Sequence, residues 1–134
     1  MSIPASEREA MNSFFKAGQY AVVGASTNRS KYGNKVLRWY QDHHLSVTPV
    51  HPHETRIEGE AAVKELADVM DMAANPAEAQ VSVSIITPPA ISLEVLRSYV
   101  SDLRILAFWL QPGAADGPVV QWLRSQPKSV QDRP

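Results

Sequence analysis

Apolar and polar positions along the chain alternate between a helical and a strand period. Residues 6–17 place Met11, Phe14 and Phe15 on one helical face behind a Ser6-x-x-Glu9 capping box, which predicts a helix ending at Gly18. Tyr20-Ala21-Val22-Val23 is then an apolar run that stops at Gly24, the pattern of a buried parallel strand, and predicts strand one over 19–24. Val36, Leu37 and Tyr40 return at helical spacing within 33–43, and Leu45-Ser46-Val47-Thr48-Pro49-Val50 reads as strand two, ending at His51-Pro52. From 53 to 80 the pattern weakens, with a helix expected over 61–70 and a polar, alanine-rich connection over 72–80. Val81-Ser82-Val83-Ser84-Ile85-Ile86-Thr87 is a β-branched strand stopped by Pro88-Pro89, followed by a helix at 91–100 and a fourth strand at 103–110. After the turn Gln111-Pro112-Gly113, a helix is expected from Gly117-Pro118 to about Ser125, and a short strand at 128–131 closes the chain.

Strict alternation of strand and helix implies an α/β fold: parallel pairing, right-handed crossovers and helices on both faces of a doubly wound sheet. Ligands in such sheets bind at the carboxyl ends of the strands, where the strand order reverses. Those ends are Gly24-Ala25-Ser26, His51-Pro52, Thr87-Pro88-Pro89 and Gln111-Pro112-Gly113, all turn-forming and uncharged apart from the imidazole. They suit a long ligand laid over backbone groups better than a site built for proton transfer.

Length and composition narrow this further. A chain of 134 residues fits one domain, here a core over 19–134 with the helix of 1–18 packed on it, and 44% hydrophobic with 20% charged residues is ordinary globular usage. The net charge of -1 argues against nucleic-acid binding, which needs an excess of Lys and Arg over a whole face. The absence of cysteine excludes disulfides and thiolate catalysis, and His43, His44, His51 and His53 lack the spacing of a metal site. Glu7 and Glu9 interrupt the amino terminus where a signal peptide would be apolar, and no run is long enough to span a bilayer. A cytoplasmic protein is expected, with the mitochondrial matrix as the other intracellular option.

The candidate chemistry lies where strand one ends. Gly24 lets backbone approach a pyrophosphate closely, Ser26, Thr27, Ser30 and Asn34 add donors, and Arg29, Lys31 and Lys35 add positive charge before the next helix. The loop is not the G-x-G-x-x-G of dinucleotide-binding folds, since Gly24-Ala25-Ser26-Thr27-Asn28-Arg29 keeps only the first glycine. The acid that holds an adenosine ribose diol is also missing: strand two ends in His51, Pro52 and His53, with Glu54 the nearest carboxylate. A ligand with a phosphate on its adenosine ribose tolerates neutral or cationic groups there, and NADP and coenzyme A both carry one.

Taken in order, Val22-Val23-Gly24-Ala25-Ser26, Lys31-Tyr32-Gly33-Asn34-Lys35-Val36, Val47-Thr48-Pro49-Val50-His51-Pro52, Ile57-Glu58-Gly59-Glu60, Ile86-Thr87-Pro88-Pro89, Phe108-Trp109-Leu110-Gln111-Pro112-Gly113 and Val130-Gln131-Asp132-Arg133 resemble the small single-domain CoA-binding proteins. These are similar to the amino-terminal domain of the succinyl-CoA synthetase α subunit. The resemblance runs from about 19 to 133 and implies a Rossmann-like, five-stranded, mostly parallel sheet. It further implies that Gly24, Ala25, Ser26, Thr27, Lys31 and Tyr32, with Gly33 and Asn34 behind them, form the phosphate site of coenzyme A or an acyl-CoA. By the same resemblance His51 and Pro52 border the adenosine, and Thr87, Pro88, Pro89 and Gln111 the pantetheine. The chain departs from the family's pattern at Ser82 and Ser84, where an aspartate is common in the third strand, at Pro134 in place of a cysteine, and in the insertion-like segment 70–80.

No nucleophile with its base is identifiable, because Ser26 lacks the G-x-S-x-G elbow and no Asp-His pair can be placed beside it. The phosphohistidine chemistry of the synthetase belongs to a second domain, so binding without catalysis is expected. Two other readings stay open: an NADP-linked oxidoreductase fragment, and an NAD(P)-sensing interaction module. Trp39, Trp109 and Trp122 read as core or interface residues, and an apolar helix face left over after sheet packing would favour a homodimer.

Overall fold

The computed structural model describes residues 11–111 and 113–126. After the helical residues 11–14, the order is β1 (Gln19–Val23), α1 (Tyr32–Asp42), β2 (Val47–Val50), β3 (Arg56–Ile57), β4 (Glu60–Ala61), α2 (Leu66–Asp71), a 3-10 turn (Pro76–Glu78), β5 (Val81–Ile85), α3 (Pro89–Tyr99), β6 (Ile105–Leu110) and α4 (Gly117–Arg124). Four strands form one parallel sheet in the order β2-β1-β5-β6, and β3 and β4 make a separate antiparallel hairpin. The chain steps outward from β1 to β2, then crosses back to β5 on the other side of β1. The order therefore reverses between β1 and β5, as the doubly wound reading requires.

Side-chain alternation on the two central strands sorts the core onto two faces. Ala21 and Val23 of β1 with Val81, Val83 and Ile85 of β5 point to the face covered by α2, α3 and α4, where Leu66, Val69, Met70, Leu96 and Val119 are buried against them. Tyr20 and Val22 point to the opposite face, against Leu37 and Tyr40 of α1 and against Phe14. Each such fully buried aliphatic side chain contributes about 1.5–3 kcal/mol relative to exposure. The same alternation sends Ser82 and Ser84 of β5 toward α1, and both hydroxyls are bonded there: Ser82 Oγ donates to the Phe14 carbonyl at 2.7 Å, and Ser84 Oγ lies 2.7 Å from Tyr40 Oη. The serines are thus fully buried polar residues with partners, which meets the cost of placing them in a central strand.

The pairing of β5 with β6 slips by one residue between Val81 and Ser82, so that Val81 faces Ile105 but Ser82 faces Ala107. This bulge shifts the phase of β6. Ile105 joins the α3 face, whereas Ala107 joins the α1 face, and Trp109, opposite Ser84, follows it there.

The weakly patterned segment resolves differently from expectation. Glu58 and Gly59 both adopt positive φ, +50° and +82°, which makes a tight hairpin between β3 and β4, whose last residue, Ala61, is the first residue of the expected helix. The helix begins only at Leu66, after a reciprocal cap between Glu65 and Asp68. The edge of β2 is covered by Val63, whose N–H donates to the Pro49 carbonyl and whose carbonyl accepts from His51 N–H. That arrangement accommodates Pro49, a residue compatible with an edge strand. Strand β6 starts at Ile105 because Asp102 accepts from the Arg104 N–H and guanidinium and holds 102–104 as a turn, leaving Leu103 exposed. The capping box at Ser6 and Glu9 and the closing strand at 128–131 lie outside the described residues.

Candidate functional site

At the switch point three pieces of backbone converge, and two glycines allow it. Gly24, directly after β1, has φ +95°, a conformation that side-chain-bearing residues rarely adopt. A Cβ there would stand 3.1 Å from the Thr87 amide nitrogen and 3.2 Å from the Ile86 carbonyl carbon, so the exits of β1 and β5 are in direct contact. A Cβ on Gly33, in the first turn of α1, would collide with the Gly24 carbonyl oxygen. The loop from 24 to 31 therefore lies pressed onto the start of α1, with the helix dipole's positive end beneath it.

The loop is shaped by its own polar groups. Ser26 Oγ accepts from the Asn28 N–H, Asn28 Oδ1 accepts from the N–H and Oγ of Ser30, and the Lys31 N–H donates to the Asn28 carbonyl. Lys31 occupies the N-cap position in an extended conformation, and no side chain caps the helix. Asn34, fully buried, ties the loop down: its Nδ2 donates to the Ser26 carbonyl at 2.8 Å and to Glu58 Oε2 at 3.1 Å, and its Oδ1 accepts from Arg38 Nε at 2.7 Å. Arg38 also donates to the Arg29 carbonyl, Arg29 lies 3.5 Å from Glu58, and Gln41 donates to the Glu58 carbonyl. The β3–β4 hairpin thus braces the loop through Glu58. Nothing in the spacing of Arg38, Gln41 and Glu58 announces this network. The only sequence sign is the Ile57-Glu58-Gly59-Glu60 segment, whose glycine permits the turn.

A groove of about 550 Å³ opens beside this loop on the α3 face. Gly24 and Ala25 from the β1 exit, His51 and Pro52 from the β2 exit, and Thr87 from the β5 exit line it, so five residues singled out from sequence meet in one place. The starts of α2 and the outer face of α3 wall it, bringing Lys64, Glu65 and Glu94 to its sides. His51 Nδ1 accepts from the His53 and Glu54 N–H groups at 3.0 and 2.9 Å, which fixes the ring and leaves Nε2 to carry the proton of the neutral form. Thr87 Oγ1 pairs with Ser92 Oγ at 2.9 Å, and Pro88 and Pro89 open α3 as its N-cap and first residue.

The remaining sequence candidates fall elsewhere. Gly33 and Asn34 are buried under the loop as supports. Thr27 and Lys31 are exposed on it and Ser26 is half-buried. Tyr32 and Gln111 line a second cavity of about 350 Å³ on the α1 face, together with Phe14, Phe15, Lys35, Trp39, Tyr40, Ser84 and Trp109. Of the core or interface reading of Trp39 and Trp109, the core half does not hold: Trp39 is 42% and Trp109 37% exposed, because the helical phase and the β6 bulge turn both rings outward into this cavity. Burial pushes the Tyr40 hydroxyl up to about 12, an effect its bond to Ser84 only partly offsets, and burial likewise raises Tyr20.

Among the described residues no cluster of three His, Asp or Glu side chains is placed to hold a metal ion. His43 stacks on Trp39 and His44 ends α1 at positive φ, which accounts for two of the four histidines as helix-end residues. No helix among the described residues is long and apolar enough to cross a membrane.

A doubly wound parallel sheet with a glycine-tight loop and a groove at its switch point is a Rossmann-like α/β fold. The chain belongs to the CoA binding domain family, whose pattern matches residues 18–132. Among solved structures it is similar to a conserved hypothetical protein from Pyrococcus furiosus, with 28% identity over 79% of this chain and 84% of that one and a TM-score of 0.65. A Thermus thermophilus protein described as cell-free ID.343 matches with 24% identity, 88% and 84% coverage and a TM-score of 0.68. A hypothetical protein from Pyrococcus horikoshii OT3 shares the fold at 16% identity, 91% and 82% coverage and a TM-score of 0.69. No curated protein matches.

Proposed function

We propose that the protein binds coenzyme A or an acyl-CoA noncovalently and carries out no chemistry on it by itself. The observation that carries this reading is the contact between the β1 exit, the β5 exit and the first turn of α1 through Gly24 and Gly33, which creates a backbone-lined shelf beside an open groove at the switch point. On this reading the pyrophosphate lies on the loop from Gly24 to Tyr32, with Lys31 at its edge. The adenosine lies against Pro52 and against His51, whose Nε2–H offers a donor in place of a repelling carboxylate. The pantetheine leaves over Thr87 toward Gln111. Membership in the CoA binding domain family supports the same assignment. Among the described residues that line the groove, the acids are Glu65 and Glu94 on its walls.

Isothermal titration with CoA, acetyl-CoA, NADP and NAD in parallel tests this. Saturable binding of CoA, weakened about threefold to tenfold by Lys31→Ala as expected for one partly screened phosphate contact, is the expected result. Binding of NADP or NAD without CoA would replace it with the dinucleotide-sensing reading.

A further inference from the structure

The cavity on the α1 face meets the ligand path of the reading above at Tyr32 and Gln111, and beyond them it holds an unusual concentration of aromatic surface. Among the described residues the exposed aromatic side chains are Phe15, Tyr32, Trp39 and Trp109, and all four line this one cavity. Three of them are braced by edge-to-face contacts, Phe15 and Trp109 against Phe14 at 5.0 and 5.5 Å and Trp39 against Tyr40 at 5.3 Å. Its floor is the buried Tyr40–Ser84 hydroxyl pair, and its one charged lining residue, Lys35, is exposed. Apolar walls with a few fixed polar groups are the usual construction of a small-molecule pocket, and about 350 Å³ falls at the small end of that range.

Position supplies the occupant. The Gln111 N–H donates to the Ile85 carbonyl at 3.0 Å, so the mouth of the chamber adjoins the β5 exit, and Thr87, two residues beyond Ile85, already lines the nucleotide groove. Groove and chamber thus lie on the two sides of one strand-end rim. We propose that the chamber receives the acyl group of a CoA thioester and favours uncharged aryl or branched apolar acyl groups. This rests on the CoA reading. A carboxylated acyl group would lose its hydration against a floor of neutral hydroxyls, and among the described lining residues the cation, Lys35, is exposed to water rather than buried. Ser84 is central to the selection: at this strand position an acidic side chain would put charge on the floor, whereas serine closes it with a hydroxyl already bonded to Tyr40.

The test titrates the full chain with CoA, benzoyl-CoA, isovaleryl-CoA and succinyl-CoA, and repeats it on Trp109→Ala and Phe15→Ala, with circular dichroism to verify that both variants are folded. Benzoyl-CoA and isovaleryl-CoA are expected to bind about tenfold or more tightly than CoA, the gain from burying a few apolar carbons, and succinyl-CoA no more tightly than CoA. Trp109→Ala and Phe15→Ala should remove most of that gain. Equal affinity for all four ligands would overturn the proposal while leaving CoA binding intact, as would preference for succinyl-CoA or an equal loss for CoA and benzoyl-CoA in the variants. A ligand-free dimer that Trp109→Ala dissociates would assign the chamber to a second copy of the chain and also overturn it. Silence toward CoA and every thioester would refute the CoA reading and this inference together.

Discussion

Replacing Asn34 by alanine tests whether the loop is held from below as described. The substitution deletes three hydrogen bonds at a fully buried position, one to a neutral carbonyl (Ser26) and two to charged side chains (Glu58 and Arg38). A neutral bond contributes about 1 kcal/mol net and a bond to a charged group about 1.5–3 kcal/mol, while alanine recovers about 0.5 kcal/mol in helix propensity. Arg38 and Glu58 are partly exposed and regain water, so the charged terms belong at the low end of that range. The expected loss is about 3.5 kcal/mol, or a fall of about 12 °C in Tm for a domain of this size. Urea unfolding followed by tryptophan fluorescence gives the free energy directly, and CoA affinity should fall as well because the Ser26 carbonyl is released. Asn34→Asp keeps the shape but turns a donor into an acceptor facing the Ser26 carbonyl and Glu58, and should be no better than alanine. A loss under about 0.5 kcal/mol, within the range of ordinary surface changes, would refute the bracing network.

Gly33→Ala drives a methyl into the Gly24 carbonyl, so it should cost more than about 2 kcal/mol by thermal melting and abolish CoA binding even where the fold survives, because the loop must lift from the helix. Glu58→Gln keeps an acceptor for Asn34 but removes the pairing with Arg29, which is well exposed, so stability should change by less than about 1 kcal/mol while Glu58→Ala costs visibly more. Tyr40 gives a pH signature: its raised hydroxyl favours the neutral form in the folded state, so its contribution is complete below about pH 10 and is lost as pH rises toward about 12. Tm measured from pH 8 to 11.5 should fall more steeply above pH 10 in the native chain than in Tyr40→Phe, and Tyr40→Phe should itself cost about 1–2 kcal/mol at neutral pH by stranding Ser84 Oγ.

The parallel strands and the glycine-closed loop between β1 and α1 were legible because both rest on local signals: an apolar run of strand length ended by glycine, and a helix beginning a few residues later. The groove was legible for the same reason, since Gly24, Ala25, His51, Pro52 and Thr87 each lie one or two residues past the end of a strand, and a doubly wound sheet brings strand ends together whatever their spacing. The β3–β4 hairpin was not, because its two strands have two residues each and Glu58 at positive φ carries no propensity signal. Its role in bracing the loop depends on Glu58 reaching Asn34 across 24 positions of sequence. The outward turn of Trp109 was hidden in another way. One residue of slippage at the β5–β6 pairing reverses which face it occupies, and periodicity within a single apolar strand cannot register a bulge. Tyr32 and Gln111 were expected along one ligand path with His51, and the structure places them on the other side of the rim, a separation that only the path of α1 over the sheet determines.

The most direct test of the central claim is an amide map: 15N-labelled protein titrated with CoA, observing backbone shifts in two-dimensional NMR. The account predicts saturable shifts concentrated at Gly24, Ala25, Ser26, Lys31, Tyr32, His51 and Thr87, with α4 and the far face of β6 unmoved. Shifts absent from the loop between Gly24 and Tyr32, or centred on residues away from the strand exits, would contradict it.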